Sequence, residues 1–321
     1  MTVAQFGQSL LVQGAQMALV LLAAPLLTGW IRKTKARLQR RLGPPLLQPY
    51  RDLRRLLGKE VVLADNASWL FRVAPYLIFA FTWVAAALVP TFATGLQFSW
   101  TGDLIAIIGL LGSARFLLAL AGMDVGTAFG GIGASREVMI ASLAEPAMLM
   151  IVVSLALMAG STQLSTITDF FLSPPLQLRV SLALMLVALL IVALAENARI
   201  PVDNPATHLE LTMVHEAMVL EYSGRHLAMI ELASSLKLLL TISLIACIFF
   251  PFGMVRGTGG ASGYAFGIAT YAGKLLIAGG LLGTLEMSIA KLRVFRVPSL
   301  LGVALMLGLL GSLLLYISRS L

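Results

Sequence analysis

Seven charged residues stand inside or at the edges of long apolar stretches: Arg115, Glu145, Glu196, Glu231, Lys237, Lys274 and Glu286. On insertion scales each costs about 2.5–3.5 kcal/mol at the centre of a bilayer. Pairing opposite charges offsets part of that cost. Such a set can do two things. It can pass protons between carboxylates and lysines, or it can lock helices together as ion pairs. Seven in one chain favour a relay for at least some of them. A second group lies between Glu196 and Glu231, where Asp203, Glu210, Glu216 and Glu221 accompany Arg199, His208 and His215. Pro201 and Pro205 interrupt this segment, and its composition predicts a helix over 207–222. On that helix Glu210 and Glu221, three turns apart, share a face. The arrangement suits either a carboxylate funnel leading toward the membrane or an amphipathic interfacial helix with solvated acids. No His pair spaced i, i+4 is present, so metal binding is not expected.

These residues need a scaffold, and the composition names its class. Of 321 residues, 59% are hydrophobic and 12% charged, and the mean hydropathy is +0.92. A soluble domain needs far more polar surface. Apolar runs at 10–30, 75–94, 104–123, 138–160, 176–195, 228–250, 266–287 and 297–318 are each long enough to cross a bilayer. They do not alternate as barrel strands would, so they are helices. The expected fold is an all-α integral membrane protein of about eight transmembrane helices, one membrane domain over 1–321. The first charged residue is Arg32, so the opening run lacks the basic n-region of a cleaved signal peptide and is expected to stay as the first helix.

Net charge is +8, but the basic residues flank apolar runs and act as topology signals. No basic groove with interleaved aromatics exists, and nucleic acid is not an expected partner. Arg32, Lys33, Lys35, Arg37, Arg40, Arg41, Arg51, Arg54, Arg55 and Lys59 crowd the segment after the first span. That puts the loop 32–68 in the cytoplasm and both termini outside. Arg136, Arg199, Arg225, Lys291, Arg293 and Arg296 fall on the same inner side, while the opposite loops carry almost no basic residue besides Arg256. The inner segments 32–68 and 197–227 are too short for a catalytic core and long enough for a docking surface. The single cysteine, Cys247, excludes a four-thiolate zinc or iron–sulfur site made by this chain alone. Gly279 and Gly283 have the spacing of close helix contacts. The glycines at 257–263 follow no strand, which rejects a nucleotide loop. No internal repeat is evident, which weakens a stand-alone proton or cation carrier.

Four segments in order, RRLGPPLLQPYRDLRRLLGKE at 40–60, GMDVGTAFGGIGASREVMIASLAEP at 122–146, ENARIPVD at 196–203 and LEYSG at 220–224, resemble the respiratory complex I subunit 1 family. The first two look most like the membrane subunit of group 4 nickel–iron hydrogenases, the formate hydrogenlyase and hydrogenase-4 component C type. The resemblance implies eight helices with both termini outside. It implies a non-catalytic subunit that docks a peripheral redox arm and leads acidic residues toward antiporter-like membrane subunits. The chain itself would hold no cofactor or metal; the nickel–iron centre and iron–sulfur clusters would sit in the large and small hydrogenase subunits. The complex would lie in a bacterial or archaeal cytoplasmic membrane.

Carried onto this sequence, the docking and cavity residues are Arg51, Asp52, Arg54, Arg55, Asp124, Arg136, Glu137, Arg199 and Arg115. The proton path is Glu145, Glu196, Glu210, Glu216, Glu221, Glu231, Lys237 and Asp203. Val202 stands where quinone-reducing members carry Phe, and Ala206 and His208 stand at positions usually acidic. These departures favour the hydrogenase branch over the alternative, a quinone-site subunit of a proton-pumping NADH:quinone oxidoreductase-like complex.

Overall fold

The structure is a computed structural model that describes residues 3–95, 101–172, 180–203, 213–255 and 260–320. Eleven α-helices are described: α1 (Val3–Leu38), α2 (Gln48–Leu57), α3 (Trp69–Leu88), α4 (Leu104–Asp124), α5 (Ala128–Ala159), α6 (Leu164–Leu172), α7 (Val180–Glu196), α8 (His215–Val219), α9 (Gly224–Phe249), α10 (Ala261–Ser288) and α11 (Val297–Ser320). Seven of them, α1, α3, α4, α5, α9, α10 and α11, are long and apolar enough to cross a membrane. The shorter apolar α7 is the eighth candidate. All eight expected runs therefore become helices, with backbone hydrogen bonds satisfied inside each segment as hydrocarbon requires.

The helices alternate in direction, which gives the bundle a basic end and an opposite end. At the opposite end Leu104 N–H donates to the Thr162 carbonyl at 3.0 Å, and Thr94 N–H to the Val255 carbonyl at 2.9 Å. At the basic end Leu292 N–H donates to the Pro201 carbonyl at 2.8 Å, and Val62 N–H to Ser223 Oγ at 2.8 Å. Caps mark the turns between spans. Asp103 accepts from Ile105 N–H to start α4, and Thr127 accepts from Gly130 N–H to start α5, each satisfying a donor with no intrahelical partner. α5 ends at Gly160 in the left-handed region, φ 74°.

Three expectations are corrected. The first span does not stop at Trp30; α1 runs 36 residues, ~54 Å at 1.5 Å per residue, against ~30 Å of hydrocarbon. Arg32 to Arg37 thus belong to a helix leaving the membrane, and the loop proper is short. It bends at Gly43 (φ +69°) and enters α2, whose face carries Arg51, Arg54 and Arg55 into solvent. α5 begins at Ala128, ten residues before the expected 138. The charged pair Arg136–Glu137 ends an apolar run in sequence, yet both residues lie within the helix and find partners there.

The helix expected over 207–222 is the third. Residues 207–212 lie outside the described residues, and from 213 onward only His215–Val219 is α-helical. Leu220 N–H closes the last turn on the Glu216 carbonyl. Tyr222 then stacks on Phe71 with ring centroids 4.0 Å apart, and Gly224 takes φ +54° beside the Lys59 and Glu60 carbonyls. Glu221 falls past the end of α8 and is exposed, so it does not share a helical face with Glu210, which is itself outside the described residues.

The glycine-rich segment after Gly122 has a packing role. A Cβ at Gly130 would meet the Gly122 carbonyl oxygen, and one at Gly133 would meet Ala217, Met218 and the Val214 carbonyl. Missing side chains let α8 lie against the start of α5 and the end of α4. Gly133→Val should overpack this contact and destabilise the protein by about 1–3 kcal/mol, read as a lower unfolding temperature in detergent. A variant as stable as the parent would show that α8 does not pack there.

Candidate functional site

Arg115, on α4, is 7% exposed, and carboxylates from two other helices come to it. Its Nε is 3.4 Å from Glu137 Oε1 and its Nη1 3.5 Å from Glu145 Oε1, both on α5. Its Nη2 pairs closely with Glu196, the last residue of α7. Lys237 on α9 brings its Nζ to 3.1 Å from the same Glu196 carboxylate. Glu137 and Glu196 side chains are nearly buried, at 11% and 10% exposure, whereas Glu145 is 45% exposed. Five ionisable groups from four helices therefore form one network within the membrane-spanning bundle.

A cavity of about 60 Å³ adjoins this network. Its wall runs from Thr82 and Leu111 inside the bundle, past Arg115, Glu137, Glu196 and Lys237, to Asn197, Ala198 and His215 at the basic end. About 10–15 Å³ is the least that one water needs, so the space is large enough for several water molecules beside the charged groups. Asn197 donates to the Ala193 carbonyl at 2.8 Å and to Thr241 Oγ1 at 3.1 Å, pinning the end of α7 to α9 at the mouth.

Two further ion pairs tie the 197–203 segment to the rest of the basic end. Glu286 of α10, with its side chain 1% exposed, accepts Lys35 Nζ of α1 at 2.8 Å and faces Arg199 Nη1 at 3.4 Å. Burial pulls the Arg199 guanidinium below its ordinary value, and Glu286 opposes that shift. Asp203, 2% exposed, accepts Lys291 Nζ at 2.6 Å and His215 N–H at 3.3 Å. Arg136 donates to the Met213 carbonyl at 2.7 Å, and Asp124 accepts Ser68 N–H at 2.8 Å. Burial, with the Asp124 carboxylate second, pushes the Tyr222 phenol up, so it stays a neutral donor to the Phe71 carbonyl at 3.2 Å.

The structure thus sorts the residues singled out above. Glu145, Glu196, Lys237 and Arg115 meet. Glu137, named above among the docking and cavity residues, turns inward, lines the cavity and joins them; Arg136, one residue earlier, reaches the Met213 carbonyl just before α8. Arg199 and Asp203 lie on the 197–203 segment, whose Asn197 and Ala198 line the cavity, and Glu216 is half-buried in α8. Glu231 is exposed, on a different face of α9 from Lys237, and Glu221 is exposed outside the network. Arg51, Arg54 and Arg55 are exposed and Asp52 half-buried on α2, where Gln48 and Arg55 flank its carboxylate. Lys35, Lys291 and Asn197 are additions: the first two sat among topology charges, and their pairing with Glu286 and Asp203 had no signal in the sequence, nor had the cavity. Among the described residues no three His, Cys, Asp or Glu side chains converge as a metal site.

The sequence profile of the NADH dehydrogenase family matches residues 12–317. The chain belongs to this family. As a member of the NADH dehydrogenase family in its complex I subunit 1 group, it is a complex I-like membrane subunit. It is 36% identical over 282 residues to formate hydrogenlyase subunit 4 of Escherichia coli K12, covering 88% of this chain and 91% of that protein. It is also 36% identical over 242 residues to hydrogenase-4 component C of the same organism, covering 75% and 76%. NADH-quinone oxidoreductase subunit 8 of Rhodothermus marinus is 28% identical over 251 residues, 72% of this chain and 70% of that protein. The fold matches a chain in the structure of the membrane-bound sulfane sulfur reductase, an archaeal respiratory membrane complex, with a TM-score of 0.81 at 19% identity, covering 97% of this chain and 99% of that one.

Removing one member of a buried ion-pair network leaves uncompensated charge, at about 3–5 kcal/mol. Arg115→Met should therefore destabilise the NADH dehydrogenase fold of this chain severely, while Glu145→Gln, at a half-exposed position, should cost under about 1 kcal/mol. Thermal unfolding of both variants in detergent measures the contrast, and equal losses would contradict the geometry.

Proposed function

We propose that the chain is the membrane-anchoring, proton-path subunit of an energy-converting, complex I-like nickel–iron hydrogenase complex in the cytoplasmic membrane. The observation that carries this reading is the Arg115 network, with its cavity running from the basic end into the bundle. Support for the hydrogenase branch comes from two relatives at 36% identity, one named a formate hydrogenlyase subunit and the other a hydrogenase-4 component.

The chemistry divides between chains. Proton reduction belongs to the large partner subunit, which holds the nickel–iron centre, with iron–sulfur clusters in the small one. This chain anchors that arm through the exposed arginines of α2 and moves protons beneath it. Three carboxylates, Glu137, Glu145 and Glu196, face two cations, Arg115 and Lys237. With all five ionised, one negative charge is left over, so the set is not neutral within itself. Arg115 cannot give up its own proton, so it fixes the field while the carboxylates exchange theirs. Glu145, the most exposed, is where the network hands its proton on toward antiporter-like partner subunits.

In the assembled complex, Glu196→Gln should leave the hydrogenase arm attached and lower proton movement linked to hydrogen turnover at least tenfold. A pH-sensitive dye in inverted membrane vesicles, alongside hydrogen evolution, reads both. Unchanged coupled proton movement would sink the path. Arg54→Glu combined with Arg55→Glu should release hydrogenase activity from washed membranes into the soluble fraction. Activity that stays on the membrane would remove the docking role of α2.

A further inference from the structure

Lys274 stands near the middle of α10 and belongs to neither charged network. It lies about fourteen residues, ~21 Å at 1.5 Å per residue, from the end of the helix at Ser288, and almost as far from Ala261. A lysine that deep cannot snorkel to the headgroups along an upright helix. Among the described residues no carboxylate pairs with it. The one acidic residue outside them is Glu210. The titratable neighbour acting on Lys274 is the Cys247 thiol of α9, which is no counter-ion when protonated.

The helix that carries it is peripheral. Only 22% of the apolar window of α10 is buried, against 56% for α9. Its buried strip runs through Gly267, Tyr271, Leu275, Gly279 and Gly283, where Gly279 sits against Leu27, Trp30 and Ile31 of α1. Lys274 lies on the flank of that strip, half-buried. Ile277 and Leu281, at helical spacing on the same side, are 67% and 65% exposed. An ammonium at membrane depth is kept where it faces an acid or a water-filled space, and here the side that remains open points out of the chain.

We propose that this flank of α10 is an interface with a second membrane-embedded subunit, which brings an otherwise unpaired Asp or Glu side chain to Lys274 at mid-membrane depth, among Ile277 and Leu281. Another copy of this chain does not fit: a two-fold contact here would set Lys274 against its own image. The inference rests on the reading of the chain as one subunit of a membrane complex, but not on the Arg115 path or on docking through α2.

The test uses the intact complex purified in mild detergent. A membrane-permeant carbodiimide joins an amine to a carboxylate in direct contact, so mass spectrometry should find an amide between the Lys274 peptide and an acidic transmembrane peptide of another subunit. Lys274→Met should insert normally and keep the soluble arm but lose that subunit at least fivefold on solubilisation, and Lys274→Arg should retain it. A cross-link from Lys274 to this same chain, to a second copy of it, or to nothing in the wild-type complex would overturn the proposal, as would Lys274→Met complexes with every membrane subunit in place. Should Lys274→Met fail to accumulate, the wild-type cross-link alone decides. Loss of coupling or of the soluble arm with the cross-link intact would count instead against the function proposed above.

Discussion

An arginine in hydrocarbon keeps its charge, because its proton is bound too tightly to leave. Arg115 therefore dictates terms to its surroundings. Acids must come to it, and in low dielectric they must come close. α5 supplies two, α7 one, and α9 adds a lysine that shares the last. The packing of four helices answers to one guanidinium. An apolar residue of the same size would pack at least as well, so the cost of keeping ions here points to something other than stability. That is consistent with the cavity, whose polar wall is made of these very groups.

The basic end shows how such an interior can be reached from outside. The 197–203 segment is held by three kinds of contact: Arg199 and Lys35 on Glu286, Lys291 on Asp203, and Leu292 N–H on the Pro201 carbonyl. Those partners come from α1, α10 and the connection before α11. A shift of the mouth of the cavity is thereby tied to helices remote from Arg115. The glycines at 122, 130 and 133 place α8 over the same region at a separation that no side chain would permit. The basic end and the buried network are thus neighbours through a few residues of backbone.

Much of this was legible in the residues, and the failures have causes. Apolar run length found all eight helices, because backbone satisfaction in lipid leaves no other choice. The distribution of Lys and Arg found the basic end. Hydropathy misjudged the start of α5, since it reads Arg136 and Glu137 as an end to the apolar run and cannot register that Glu137 will meet Arg115. It misread α8 because Leu220 to Gly224 looks helical until Tyr222 finds Phe71 and Ser223 finds Val62. Charge alone marked Glu231 and Glu196 as equals; only the rotation of each helix separates the exposed one from the paired one. Lys35 and Lys291, counted as topology signals, are also structural partners, a double duty that spacing does not reveal.

The order of synthesis gives the Arg115 network a further meaning. α4 leaves the ribosome with a bare guanidinium, at about 2.5–3.5 kcal/mol against entering lipid. Its first acids arrive only with α5, and Glu196 and Lys237 later still. α4 and α5 are then best released into the bilayer as a pair, each carrying the other's counter-charge, with α7 and α9 closing on them afterwards. The residue that sets the electrostatics of the finished protein also sets the unit in which the chain is delivered to its membrane.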